Sequence, residues 1–374
     1  MVLTNPLVRF AYIFLVAPWQ FSLPVLRQLV LGLVPQGRPS TRWTLRQTMA
    51  VTAIKSMLRV SSVLQRRKVL SLQPGTEGSR FTVVPPADDT LYVGPLADEE
   101  VRPCAVGGTW TPSEPPRVDA GGSGDDEKLR VVLHFHGGAF VIGDGRDHDT
   151  GFTADILRTN GGFTHVFTPQ YRLAVDAETR FPAQLQDAVS AYLHLTRKLG
   201  IPASNIVIGG DSAGGNLALA LIRYIHDHGE DLSIPWPSAA LLWSPWTDLT
   251  STHDPVHVRN VANFSTDYLA EGFAVWGTEC ITGAGKIPAD SPYLSPGVSE
   301  PFRVPLPIWV HTGGSEVLFG DNKLLVQSFR SVGNNVDWYV DDLCPHDIAL
   351  LGKVLGWEKE ARDAAAAANK FLTL

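Results

Sequence analysis

From residue 129 onward, short β-branched runs alternate with stretches of helical period, and few folds can satisfy that order. Residues 131–135, 164–167, 206–208, 239–243, 307–311 and 336–340 read as strands, and 185–199, 216–226 and 322–329 as helices. A β-α-β-α order of this kind predicts an α/β fold, with a mostly parallel central sheet flanked by helices on both faces. With 374 residues, 44% of them hydrophobic and 18% charged, the chain can hold one large domain and a lid and does not read as disordered. We divide it into an N-terminal region, 1–128, that supplies lid and leading strands, and a catalytic domain, 129–374, with a lid insertion at 249–300.

The region before residue 129 is of a different character. Residues 1–68 contain ten Lys or Arg and no Asp or Glu, a +10 segment that leaves −17 on the remainder of a chain of net charge −7. The overall charge gives no reason to expect a nucleic-acid partner. Residues 7–34 are strongly apolar, but Pro18 and Pro24 interrupt them and Arg9 and Arg27 lie at the edges. The run 10–17 is too short for a spanning helix, which needs ~20 apolar residues. Three readings stay open for it: a lid or packing segment, a peripheral membrane-surface anchor, and a targeting sequence. The basic balance suits anionic lipid. Trp43, Met49, Ile54, Met57, Leu58 and Leu64 predict a helix within 40–70. Residues 74–126 read as irregular strands and loops that end in a Gly/Asp-rich turn at 121–126. Cys104, Cys280 and Cys344 are odd in number and lack CxxC spacing, which points to a reducing, intracellular and cytoplasmic setting.

The chemistry concentrates in three places. Gly210-Asp211-Ser212-Ala213-Gly214 follows a strand and opens a helix. GxSxG alone is weak, but in this context it predicts a sharp turn that lifts Ser212 above the sheet as nucleophile. The following helix places positive partial charge near its hydroxyl. His134-Phe135-His136-Gly137-Gly138-Ala139-Phe140 also closes a strand, and its consecutive glycines allow backbone N–H groups to approach an oxyanion. Gly137, Gly138 and Ala213 are the expected oxyanion-hole donors. Downstream, His346 follows the last strand and is the last histidine of the chain, which makes it the expected base. His311, its rival, falls within a strand. For the acid, Glu316 stands just past strand 307–311, with Asp321 the second choice, as either acid or helix cap, and Asp248 a weaker third.

HFHGGAF, YRLAVDAETRFPAQLQDA, GDSAGGN, WSPWTDL, SPYLSP and PHDIALL, in this order, resemble the hormone-sensitive-lipase-like family of α/β hydrolases over residues 129–352. The resemblance implies the α/β-hydrolase fold and carboxylester hydrolysis by a Ser–acid–His triad, with no metal or organic cofactor. It also implies a lid built from N-terminal helices and the 249–300 insertion, and it gives oxyanion duty to Gly137 and Gly138. His136 resembles the family's loop-anchoring histidine. Tyr171, Arg172 and Asp187 match architectural positions, and Asp211 one that orients the turn. Two departures stand out: Ala139 replaces the third glycine of HGGG, and Glu316 stands where family members commonly have Asp. The length of the N-terminal region resembles that of fungal-type members. The expected substrate is a small or medium hydrophobic ester. Acyl transfer or lactone formation in natural-product biosynthesis would use the same acyl-enzyme, and an inactive ligand receptor is the reading from a different class. Oligomeric state is not legible.

Overall fold

Runs of valine, isoleucine and leucine have no polar face to turn toward water, so they belong where both sides of a sheet are covered. In the computed structural model, which describes residues 5–66, 68–116 and 129–373, eight strands form one sheet. They are β1 (Phe81–Val84), β2 (Val106–Thr111), β3 (Val131–Phe135), β4 (His165–Gln170), β5 (Ile206–Asp211), β6 (Ala239–Trp243), β7 (Ile308–Gly313) and β8 (Val336–Asp341). Their spatial order is β1-β2-β4-β3-β5-β6-β7-β8. The β1–β2 and β2–β4 pairings are antiparallel, and every pairing from β4 across to β8 is parallel. Each residue of β3, β5, β6 and β7 is buried, whereas β8, at the edge, is mostly half-buried.

β1 and β2 fall in the stretch that reads as irregular. The Gly107-Gly108 pair is no signature of a strand, yet the packing demands it. A Cβ on Gly107 would sit 2.3 Å from the Phe81 ring, and one on Gly108 2.3 Å from the Phe167 ring. The 121–126 turn lies outside the described residues.

The helices are α1 (Pro6–Ala11), α2 (Ala17–Leu31) and α3 (Leu45–Leu64), then α4 (Asp147–Thr159), α5 (Ala183–Leu193) and α6 (Ala213–His228), which link β3 through β6. α7 (Leu249–Thr252), α8 (Pro255–Asn260) and α9 (Glu271–Ile281) lie between β6 and β7, α10 (Phe319–Ser331) joins β7 to β8, and α11 (Ile348–Leu355) and α12 (Glu358–Leu372) close the chain. The prolines of residues 7–34 do not interrupt the helix as the sequence suggested. A π-helical turn over Tyr12–Val16 joins α1 to α2, and Pro18 falls in the first turn of α2, where a missing N–H leaves no bond unmade.

α3 opens on a capping box between Thr44 and Gln47. It packs on α9, where Arg59 pairs with Glu271 at 3.4 Å. Lys55 Nζ donates to the Asp267 carbonyl at 3.1 Å and lies over the Phe264 ring. Residues of α3 and of the segment 268–273 thereby roof a cavity whose floor holds Ser212, at the C-terminal end of β5. In parallel sheets, ligands bind at that end of the strands.

Candidate active site

The turn that carries Ser212 leaves no space for side chains around it. A Cβ on Gly214 would lie 1.9 Å from the Phe135 carbonyl oxygen, and one on Gly210 2.2 Å from that of Gly214. Ser212 itself adopts φ 52° and ψ −117° at the N-cap of α6. This is a conformation that a non-glycine residue holds only when its surroundings enforce it. Its backbone is tied on both sides, with Ser212 N donating to Trp243 O at 2.9 Å and Trp246 N to Ser212 O at 2.9 Å.

His346 reaches this serine from the loop between β8 and α11. Its Nε2 lies 2.9 Å from Ser212 Oγ. Its Nδ1 faces Glu316 Oε2 at 3.8 Å, an ion-pair separation longer than a hydrogen bond. Glu316 is fully buried and fixed from three sides. Ser244 Oγ donates to Oε2 at 2.6 Å, Gly313 N to Oε2 at 3.0 Å and Asn322 Nδ2 to Oε1 at 3.0 Å. Burial alone would lower the His346 imidazole, but the carboxylates of Glu316, Asp267 and Asp347 outweigh it and push it up to about 9.

Asp321 does not cap α10, as one of its two readings supposed. It lies within the first turn, with Leu318 at the cap position. Burial, then Asp248 and Glu316, push its carboxyl up to about 7. Among the described residues no hydrogen bond or ion pair joins it to His346. Asp248 caps α7, accepting from Thr250 N at 2.7 Å. His311 is buried in β7 against Asp341, 3.1 Å from its Nε2.

The oxyanion loop corrects one expectation. Gly137 N donates to Asp211 Oδ2 at 2.6 Å, so this amide is already committed and does not serve as an oxyanion donor. Gly138, Ala139 and Ala213 keep N–H groups without a protein acceptor among the described residues. The uncommitted amides thus differ from the expected donors by one residue, Ala139 standing in place of Gly137. Ala139 and Phe140 both have positive φ, 52° and 63°, so the alanine holds the conformation that a third glycine would adopt without strain. The loop is pinned from behind: Tyr171 Oη donates to His136 O at 2.6 Å, and the two rings stack at 4.3 Å. Asp211 holds His134 Nε2 at 2.8 Å as well as Gly137. Arg172 and Asp187 pair at 2.8 Å outside the site, with Arg172 also bonding the Arg102 carbonyl.

Three contributors are not among the expected site residues, although Ser244 and Asp347 lie within WSPWTDL and PHDIALL. Asp267 is fully buried, and its Oδ1 accepts from His346 N at 3.2 Å while Oδ2 accepts from Val317 N at 2.6 Å. It therefore clamps both triad loops from the roof. Ser244 bonds Glu316 and also accepts from Asp347 N at 3.2 Å. Asp347 is buried beside Asp211, and burial followed by that neighbour raises its carboxyl well above the usual range.

A mostly parallel sheet, a strained serine at a strand-to-helix turn and a histidine in contact with it define the α/β-hydrolase class. Residues 132–350 match the family described as alpha/beta hydrolase fold, and the chain belongs to that family. It is 30% identical to an acetyl-hydrolase of Streptomyces hygroscopicus, over 68% of this chain and 72% of that one. It is 29% identical to an esterase of Acinetobacter venetianus, over 65% and 75%. Among solved structures, an esterase from the bacterial hormone-sensitive lipase family shares the fold at a TM-score of 0.58 and 24% identity, over 93% of this chain and 97% of that one.

Proposed function

We propose that the protein hydrolyses carboxylic esters that join a short acyl group to a larger apolar alcohol, through an acyl-enzyme on Ser212. The observation that carries this reading is the 2.9 Å contact between His346 Nε2 and Ser212 Oγ at a strained turn. In the reaction, Ser212 Oγ attacks the acyl carbonyl carbon and its proton passes to His346 Nε2. The oxyanion lies against the N–H groups of Gly138, Ala139 and Ala213. Collapse breaks the ester C–O bond, and His346 returns the proton to the leaving alkoxide. Water then attacks the acyl-serine with the same base and releases the acid. Glu316 orients the imidazole and balances its charge.

Two cavities meet at Ser212 and support the assignment of acyl and alcohol sides. The larger, about 260 Å³, also contains His346 and is walled by Ile54, Met57, Leu58 and Tyr268. The leaving oxygen must be within reach of His346, so this cavity takes the alcohol. The smaller, about 30 Å³, is walled by Ala139, Trp246, Phe273, Val317 and Leu318 and holds one or two heavy atoms. This fits an acetyl group, and the similarity to an acetyl-hydrolase agrees. On p-nitrophenyl esters, kcat/KM should be highest for acetate and fall by ~10²-fold or more by octanoate. A maximum at octanoate would sink the size argument. A fluorophosphonate probe should label the protein. Labelling without hydrolysis would replace water by an alcohol acceptor and make the enzyme an acyltransferase or lactone-forming catalyst. A failure to label would remove the catalytic role of Ser212.

The raised pKa of His346 sets the pH dependence. Only the neutral imidazole accepts the serine proton, so activity should fall about tenfold per unit as pH drops below about 9. Asp267→Asn keeps an acceptor for His346 N but removes a charge that stabilises the imidazolium. Its profile should therefore move to lower pH. A wild-type profile flat from neutrality to pH 9, or an unmoved variant, would contradict this.

A further inference from the structure

Among the described helices, one is long and apolar enough to cross a membrane by length and composition, and its arrangement argues for a different relation to lipid. The helical stretch Pro6–Leu31 reaches a mean hydropathy of 1.3, and Ala17 is its one buried residue. Its sidedness is the reverse of what water demands. Leu15, Trp19, Leu23, Leu26 and Val30 are exposed, while Ala17 is buried and the half-buried positions mix polar Gln20, Ser22 and Gln28 with apolar Ile13, Pro24 and Val25. Gln28 Nε2 donates to the Gly37 carbonyl at 2.8 Å, and Gln20 accepts from the Tyr12 hydroxyl. A helix on a soluble surface turns its polar stripe outward. This one turns large apolar side chains outward, so its outer face has the chemistry of a lipid contact.

We propose that α1 and α2 lie in the headgroup–acyl boundary of an anionic bilayer, parallel to its plane, as a peripheral anchor. Two further observations favour lipid over a second copy or another protein. Residues 1–68 carry ten basic and no acidic residues, and Arg27 is exposed on α2 itself, a complement to anionic headgroups. α2 also packs along α3, so one flank of it is already committed to protein and cannot meet acyl chains on all sides as a spanning helix must. The α2–α3 hairpin is firmly seated. Arg38 bonds the carbonyls of Gly32 and Trp43, and Trp43 Nε1 bonds the Leu343 carbonyl at 2.9 Å. α3 contributes Ile54, Met57 and Leu58 to the wall of the larger cavity. Docking would therefore set the bilayer one helix away from the alcohol side of the site proposed above.

The test is sedimentation of the full chain with vesicles of phosphatidylcholine, with and without a quarter of phosphatidylserine. The protein should pellet with the anionic vesicles, about tenfold less with neutral ones, and be released by about 0.5 M NaCl or by alkaline carbonate. A Leu15→Glu/Trp19→Glu/Leu26→Glu variant should stay in the supernatant yet hydrolyse p-nitrophenyl acetate in solution at the wild-type rate, so failure of docking and failure of the esterase reading are told apart. Wild type that remains soluble, whether monomeric or as a dimer in sedimentation velocity, overturns the proposal. So does equal binding by wild type and variant. Pelleting that resists carbonate overturns the in-plane geometry in favour of a spanning helix.

Discussion

Ser212→Ala and His346→Ala are each expected to lower kcat by ~10⁶-fold, and the double variant by no more than either alone. The two side chains form one device, since Oγ is a poor nucleophile unless Nε2, 2.9 Å away, takes its proton. Removing either half leaves the other without work. The residual rate, ~10³-fold above water, should come from the amides of Gly138, Ala139 and Ala213 and from the shape of the two cavities. Initial-rate kinetics on p-nitrophenyl acetate, with thermal melts of each variant, would measure this. Ser212→Ala deletes one oxygen from a residue whose backbone bonds to Trp243 and Trp246 persist, so its melting temperature should be close to that of wild type. If the losses instead multiply, the two residues act separately and the shared proton transfer is wrong.

Much of the frame could be read from sequence because the signals are local. The six strands read from 131 onward correspond to β3–β8, and the elbow was legible because glycine, serine and glycine must follow a buried strand in close order for the turn to exist. What stayed hidden depends on contacts between distant parts of the chain. Gly107 and Gly108 look like a turn until the Phe81 and Phe167 rings take the space a Cβ would need. Gly137 looks like an oxyanion donor until Asp211, on another strand, claims its N–H. The motif fixes that glycines are needed there but not which amide points into the site. Asp267 sits among residues with no motif and acts through backbone groups of His346 and Val317, residues 79 and 50 positions away. The helix through Pro18 escaped because a proline in a first turn is neutral, and only the preceding π-helical turn makes it one, while Pro24 is carried inside α2.

Glu316→Ala should lower kcat by ~10⁴-fold, whereas Asp321→Ala should cost less than about tenfold. Both carboxylates follow β7, and spacing alone leaves both in contention. Glu316 faces His346 Nδ1 at 3.8 Å and is held there by Ser244, Gly313 and Asn322. Such fixation leaves little reorganisation to be done when the imidazolium forms. Asp321 has its carboxyl raised to about 7 by burial, Asp248 and Glu316, so near neutrality it is a weak source of the negative charge an imidazolium requires. Truncating Glu316 also leaves the Asn322 amide and the Ser244 hydroxyl buried without their shared acceptor, so part of the Ala effect will be structural. Glu316→Gln separates the two contributions. It keeps the shape and one acceptor oxygen, so a variant that stays folded but still loses ~10³-fold or more has lost the charge that the base needs. A larger loss on Asp321→Ala than on Glu316→Ala would reverse the assignment and require His346 to turn toward α10.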